Sequence, residues 1–224
     1  MKASQSMKIA VLNPNSSKAV TQSMERCLEP LIGRTKYQII CSELPAAPIG
    51  IEDDNDVATV SPMVEAFVKA SDADAFVISC FSDPGVAAAR SLTDKPLFGI
   101  AESAYCTSLL YGRRFGVISL GASSIARHRV QIERHGLLGR LAGDRSIDMT
   151  VAEANDVDNA RDVVQRVGAE LRADGADVLI LGCAGMGEQR PALQKLLGTI
   201  VIDPVQAAVS AAINALDLGY NQGK

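Results

Sequence analysis

Ala73-Asp74-Ala75-Phe76-Val77-Ile78-Ser79-Cys80 returns later in the chain as Ala176-Asp177-Val178-Leu179-Ile180-Leu181-Gly182-Cys183. Both copies run from Ala-Asp through a short apolar stretch and stop at a cysteine. Small or turn-forming residues follow each: Ser82-Asp83-Pro84-Gly85 after the first, Ala184-Gly185-Met186-Gly187 after the second. A short apolar run bounded in this way reads as a buried strand of a parallel sheet. Open parallel sheets bind ligands at the carboxyl ends of their strands, where both thiols fall.

The pattern around each copy repeats as well. Lys8-Ile9-Ala10-Val11-Leu12 reads as a strand closed by Asn13-Pro14-Asn15, with Ser16 or Ser17 capping a helix behind it. In the second half, Arg114-Phe115-Gly116-Val117-Ile118-Ser119 is closed by Leu120-Gly121-Ala122-Ser123-Ser124. The two cysteines lie 103 residues apart, and Val11 and Val117 lie 106 apart. Tyr37–Cys41 and Pro96–Ile100 complete four strands in the first half; Ile147–Val151 and Thr199–Ile202 complete the second. Ser61-Pro62 reads as the start of a helix, and the long loop Leu44–Asp56 is of the kind that covers sites.

The spacing predicts two α/β lobes, with residues 1–6 as a tail, 7–112 as the first lobe and 113–224 as the second. The C-terminal helix is placed so that it can pack back on the first lobe. One continuous doubly wound sheet is the other reading of the same pattern.

Composition narrows the function. The 224 residues are 47 % hydrophobic and 21 % charged, with a formal charge of -4, which offers no attraction to nucleic acid or anionic membrane. Aromatic residues are 4 % with no Trp, too few for base-stacking surfaces. No apolar run is long enough to span a membrane, and the start is too polar and short for a signal peptide. Five cysteines without a Cys-x-x-Cys pair suggest reduced thiols and a cytoplasmic protein. His128 and His135 have no acidic or cysteine partner at metal spacing, so no metal is expected.

Two thiols at equivalent strand ends suggest proton chemistry. If the lobes face one another, one thiolate can take a proton from a carbon acid while the opposing thiol returns one to the other face. Backbone N–H groups after each strand would favour the thiolates. The bland reading makes both cysteines small buried hydrophobes, and it is adopted for Cys27, Cys41 and Cys106.

Asn13-Pro14-Asn15-Ser16-Ser17, Ser79-Cys80-Phe81-Ser82-Asp83-Pro84-Gly85 and Leu181-Gly182-Cys183-Ala184-Gly185-Met186 resemble the aspartate/glutamate/hydantoin racemase superfamily, most of all its hydantoin and allantoin racemase branch. The resemblance runs from Met7 over nearly the whole chain. It implies two pseudo-symmetric α/β lobes, each with a parallel sheet of about four strands flanked by helices, and an active site in the cleft between them. It further implies no cofactor, a homo-oligomer, a small-molecule substrate and catalysis by Cys80 and Cys183. Asn13, Phe81, Ser82, Ala184 and Gly185 would bind substrate, and Ser119 occupies the equivalent turn of the second lobe. Turn and capping work is the other reading of Asn13 and Ser119.

The chain departs from that branch at Ile118-Ser119-Leu120-Gly121-Ala122, where threonines are usual, and in the helix carrying Arg127, His128 and Arg129. The departure concerns the substrate more than the reaction; Arg127 and His128 read as a solvated helix face, with contact of either to an anionic group as the other reading. A hydantoin-like or amino-acid-derived carbon acid is the expected substrate. Maleate isomerase-like or arylmalonate decarboxylase-like chemistry on the same fold, and a non-catalytic protein that binds small anions, are the alternatives.

Overall fold

A computed structural model of the chain describes residues 6–221, so the expected tail falls, apart from Ser6, outside the described residues. β1 (Lys8–Asn13), β2 (Gln38–Glu43), β3 (Ala75–Ile78) and β4 (Leu97–Gly99) form one sheet in the order β2-β1-β3-β4. β5 (Phe115–Ser119), β6 (Leu141–Ser146), β7 (Val178–Leu181) and β8 (Ile200–Ile202) form the other in the matching order β6-β5-β7-β8. Every pairing is parallel. The single doubly wound sheet is thereby excluded.

The central strands are apolar throughout because helices cover both of their faces. All four residues of β3 and all four of β7 are buried. Each fully buried Val, Leu, Ile or Phe there contributes on the order of 1.5–3 kcal/mol. β2 and β6 lie at sheet edges and are only partly covered.

The chain leaves β1 toward β2 and later crosses to the other side for β3, which opens a crevice between the ends of β1 and β3. The same reversal opens a crevice between β5 and β7. Cys80 and Cys183 sit at these two switch points.

The helices are α1 (Lys18–Ile32), α2 (Asp54–Ala70), α3 (Val86–Arg90), α4 (Ile100–Ser108), α5 (Ala122–Arg134), α6 (Val151–Asn155), α7 (Val157–Ala173), α8 (Arg190–Leu197) and α9 (Pro204–Leu218). The last of these crosses back to the first sheet and packs on α4, β3, β4 and α1. Tyr37 Oη donates to Asp217 Oδ1 at 2.7 Å to fix its far end, and Lys36 pairs with the same carboxylate. One apolar core joins the lobes, from Ile9 and Val77 in the first to Val117 and Leu181 in the second. An aromatic chain runs through it: Phe81 meets Tyr105 edge-on at 5.4 Å, and Tyr105 stacks on Phe115 at 5.6 Å.

Two expectations are corrected. α2 begins at Asp54, and Ser61-Pro62 lies inside it. Asp53 starts the helix: its Oδ1 accepts from the Asp56 N–H at 2.9 Å, while Asp56 Oδ2 accepts from the Asp53 N–H at 3.3 Å. Pro62 removes one N–H from the ladder, but burial of Val60, Val64 and Val68 on one face holds the helix through it. Ile147–Val151 is not a strand, because β6 ends at Ser146. Asp148 adopts φ 53, which no strand accommodates, and Thr150 with Glu153 forms a capping box that starts α6.

Candidate active site

Cys80 follows β3 and opens a tight turn. The Asp83 N–H bonds the Cys80 carbonyl at 2.9 Å, and Asp83 and Gly85 take positive φ values of 46 and 69. Asp83 Oδ1 and Oδ2 accept from the Ala101 and Glu102 N–H groups, both at 2.9 Å, at the start of α4. Burial pushes this carboxyl up to about 7, against those two hydrogen bonds and the nearby Arg90 guanidinium. Cys183 follows β7 and leads straight into a 3-10 turn over Ala184–Gln189.

The two thiols receive the same support. The Ser82 N–H, two residues after Cys80, bonds its sulfur, and the Gly185 N–H, two residues after Cys183, bonds the other. Both contacts favour a thiolate, yet burial outweighs them. The Cys80 thiol is pushed up to about 12 by its burial, with the neighbouring Cys183 adding to the rise. The Cys183 thiol is pushed up to about 11 by burial, with Glu52 adding. Each sulfur therefore rests as a thiol at neutral pH and is strongly basic once deprotonated, as a carbon acid requires.

Both cysteines line one pocket between the lobes. The first lobe contributes Asn15, Ile51, Cys80, Phe81 and Ser82; the second contributes Leu120, His128, Val151, Cys183 and Ala184. No Asp, Glu, Lys or Arg is among its lining residues. The loop before α2 closes one side. Ile51 is buried against the pocket, and Glu52 Oε1 accepts from the Val151 N–H of the other lobe at 3.1 Å.

A family model described as Asp/Glu/Hydantoin racemase matches residues 9–212. The chain belongs to that family. Hydantoin racemases from Pseudomonas sp. (strain NS671) and Rhizobium meliloti are 33 % and 34 % identical to it, over 97 % of this chain and 89 % and 92 % of theirs. An allantoin racemase from Klebsiella pneumoniae superposes with a TM-score of 0.92 at 30 % identity, covering 97 % of this chain and 91 % of that one. The protein is thus an isomerase of the racemase type, and its lobes have the family's architecture.

Within this racemase, Phe81, Ser82 and Ala184 line the pocket, while Gly185, the next residue after Ala184, does not. Asn13 and Ser119 do not line it. The Asn13 amide is wholly engaged in the turn: Nδ2 donates to Asn15 Oδ1 at 2.8 Å, to the Ser17 carbonyl at 3.1 Å and to Thr21 Oγ1 at 3.2 Å. It thereby presents Asn15, two residues on, to the pocket. Ser119 is buried behind His128, whose Nδ1 lies 3.1 Å from its Oγ.

The helix face carrying Arg127 and His128 is not solvated. His128 is 1 % exposed, lines the pocket, and sets Nδ1 3.0 Å from Asp144 Oδ2 on β6. Arg127 crosses to the first lobe, where Nε donates to Ser82 Oγ at 3.2 Å and Nη1 pairs with Asp54 at 3.0 Å. A usable signal was the stripe Ser124, His128, Ile132, whose four-residue spacing puts all three on the buried face of α5. Of the cysteines assigned to the core, only Cys27 is buried; Cys41 is half-buried and Cys106 exposed.

Proposed function

We propose that the protein racemises a neutral, hydantoin-like carbon acid by a two-base proton transfer between Cys80 and Cys183. The observation that carries this reading is one pocket that holds both thiols and has no formally charged side chain in its lining. In the reactive state one of the two thiols has released its proton to solvent, and that thiolate takes the proton from the stereocentre and becomes a thiol. The carbon becomes a planar enolate-like carbanion conjugated to the adjacent carbonyl. The opposing thiol gives its proton to the other face and is left as thiolate. Charge and proton count are unchanged, and the enzyme ends poised for the reverse direction.

The two sulfur-bound N–H groups, from Ser82 and Gly185, stabilise whichever thiolate is present. Low solvation keeps that thiolate basic. The activities of the similar hydantoin and allantoin racemases support a cyclic ureide as the substrate class.

Maleate isomerisation is the second reading, and the uncharged lining weighs against it because a dianion needs a countercharge when desolvated. The same objection applies to an anion-binding module. Racemisation in heavy water tests the proposal. A 5-alkylhydantoin should lose optical rotation and its α-hydrogen signal together, with no change in maleate under the same conditions. Retention of the α-hydrogen through many turnovers would refute direct proton transfer.

A further inference from the structure

We propose that His128 sets the substrate class, by accepting a hydrogen bond from the ring N–H next to the reacting carbon. This rests on the two-cysteine reading of the same pocket and adds a residue to it.

The argument begins with the proton on the imidazole. Ser119 Oγ–H donates to Asp144 Oδ1, and the other carboxylate oxygen, Oδ2, lies 3.0 Å from His128 Nδ1. Asp144 is an acceptor that already takes the serine hydrogen, so the hydrogen between Asp144 and the ring belongs to Nδ1. A ring with that one hydrogen carries only a lone pair on Nε2. Among the described residues no protein group bonds that atom, although the side chain is 1 % exposed and lines the pocket. Phe81 packs edge-on against the ring at 4.9 Å and restricts its rotation. The chain therefore holds a buried, oriented acceptor against the site with nothing of its own to fill it.

A complementary donor stands on the other lobe. Asn15 Oδ1 accepts from Asn13 Nδ2 and from the Ser17 N–H, both at 2.8 Å, which fixes the amide so that Nδ2 faces away from these partners. No protein acceptor among the described residues takes Nδ2, and Asn15 also lines the pocket. One acceptor and one donor, in a site without formal charge, match the N–H and C=O of a cyclic amide or ureide. A substrate with a carboxylate in place of the N–H would set lone pairs against lone pairs.

The test compares a 5-alkylhydantoin with the 5-alkyloxazolidine-2,4-dione, in which oxygen replaces the N–H beside the stereocentre at nearly unchanged shape. Exchange of the α-hydrogen in heavy water is followed by NMR for the native enzyme, His128→Phe and His128→Gln. The native enzyme should prefer the hydantoin. His128→Phe should lower kcat/KM on the hydantoin by about tenfold or more, mainly through KM, since a buried N–H then loses its acceptor. It should leave the oxazolidinedione little changed, and His128→Gln, which restores a carbonyl acceptor, should regain part of the preference. Equal losses on both compounds would mark His128 as merely structural and overturn the inference, as would no loss on either. If Cys80→Ser stops exchange on the hydantoin while His128→Phe leaves the preference intact, only the role of His128 falls. If the folded native enzyme exchanges neither compound, the two-cysteine reading and this inference fall together.

Discussion

The two cysteine turns reach the same contact from opposite sides. In the first lobe the turn supplies an aspartate, Asp83, which caps α4, and a glycine, Gly99, precedes that helix. In the second lobe the turn supplies a glycine, Gly187, and the aspartate, Asp203, is the N-cap of α9 itself. Asp203 Oδ1 accepts from the Val205 and Gln206 N–H groups at 2.8 and 3.3 Å. Each glycine makes room for the carboxylate opposite. A Cβ on Gly99 would come 2.3 Å from Asp83 Cγ, and one on Gly187 would come 2.6 Å from Asp203 Oδ2.

Asp203 is buried and Asp83 half-buried, and desolvation pushes both carboxyls up, Asp83 to about 7 and Asp203 to about 6. The physical demand is shared: a buried helix start leaves N–H groups that need an acceptor, and its partner turn must be thin enough to approach. Which strand end carries the acceptor is free to differ. The N–H two residues after each cysteine is not free, and it is present in both lobes.

That comparison can be broken most directly at the sulfurs. Cys80→Ser and Cys183→Ser should each lower the racemisation rate by about 10²–10⁴-fold, measured by polarimetry. Full activity in either variant would end the equivalence of the two turns.

Next in size is the space opposite each carboxylate. Gly99→Ala should destabilise the fold by about 3 kcal/mol, because the methyl group meets Asp83 at a turn with no slack. Calorimetry should then register a fall in Tm of roughly 6–12 °C. An unchanged Tm would mean that the two segments separate freely.

Exchanging the arrangement sharpens the point. Asp83→Gly alone should lose about 1–2 kcal/mol, because the Ala101 and Glu102 N–H groups lose their acceptor, and Gly99→Asp alone should clash. The double variant, which copies the second lobe into the first, should be more stable toward urea than Gly99→Asp alone. The sum of the two single losses should exceed the loss of the pair. Strict additivity would show that the residues act separately.

The smallest effect concerns pH. Asp83 binds its proton more tightly folded than unfolded, so its contribution is full below about pH 4. It is lost as pH rises through about 7, because the folded state retains a proton that the unfolded state has released. Asp83→Asn removes that loss while keeping one acceptor for α4. Its stability relative to the native enzyme should therefore climb between pH 4 and 7. A constant difference across that range would show that Asp83 ionises alike in both states.

Much of this was legible in order along the chain. The repeat Ala-Asp, apolar run, cysteine marked β3 and β7, and its spacing marked two matching halves, because a buried strand writes its environment directly into residue type. Local signals competed elsewhere. Ser61-Pro62 looked like a helix start, yet Asp53 and Asp56 within the acidic cluster were the cap that operates. Alternation over Ile147–Val151 suggested a strand, and Thr150 with Glu153 was again the stronger local device. Asn13 lies in the turn beside the pocket with its amide taken up by Asn15, Ser17 and Thr21, and Asn15 is the residue that lines the pocket.

While the division into two sheets came from the strand pairing, the sequence by itself determined the α/β pattern, the central strands and the pair of strand-end thiols. These follow from short-range patterns of burial and from turn residues that act within a few positions. Only the tertiary structure decided what faces the thiols. His128 sits between two arginines in the chain, and its partner Asp144 is sixteen residues away on the neighbouring strand. Arg127 reaches Ser82 across the cleft. Such polar contacts leave no periodic trace, because each needs one correctly placed atom rather than a repeated apolar face.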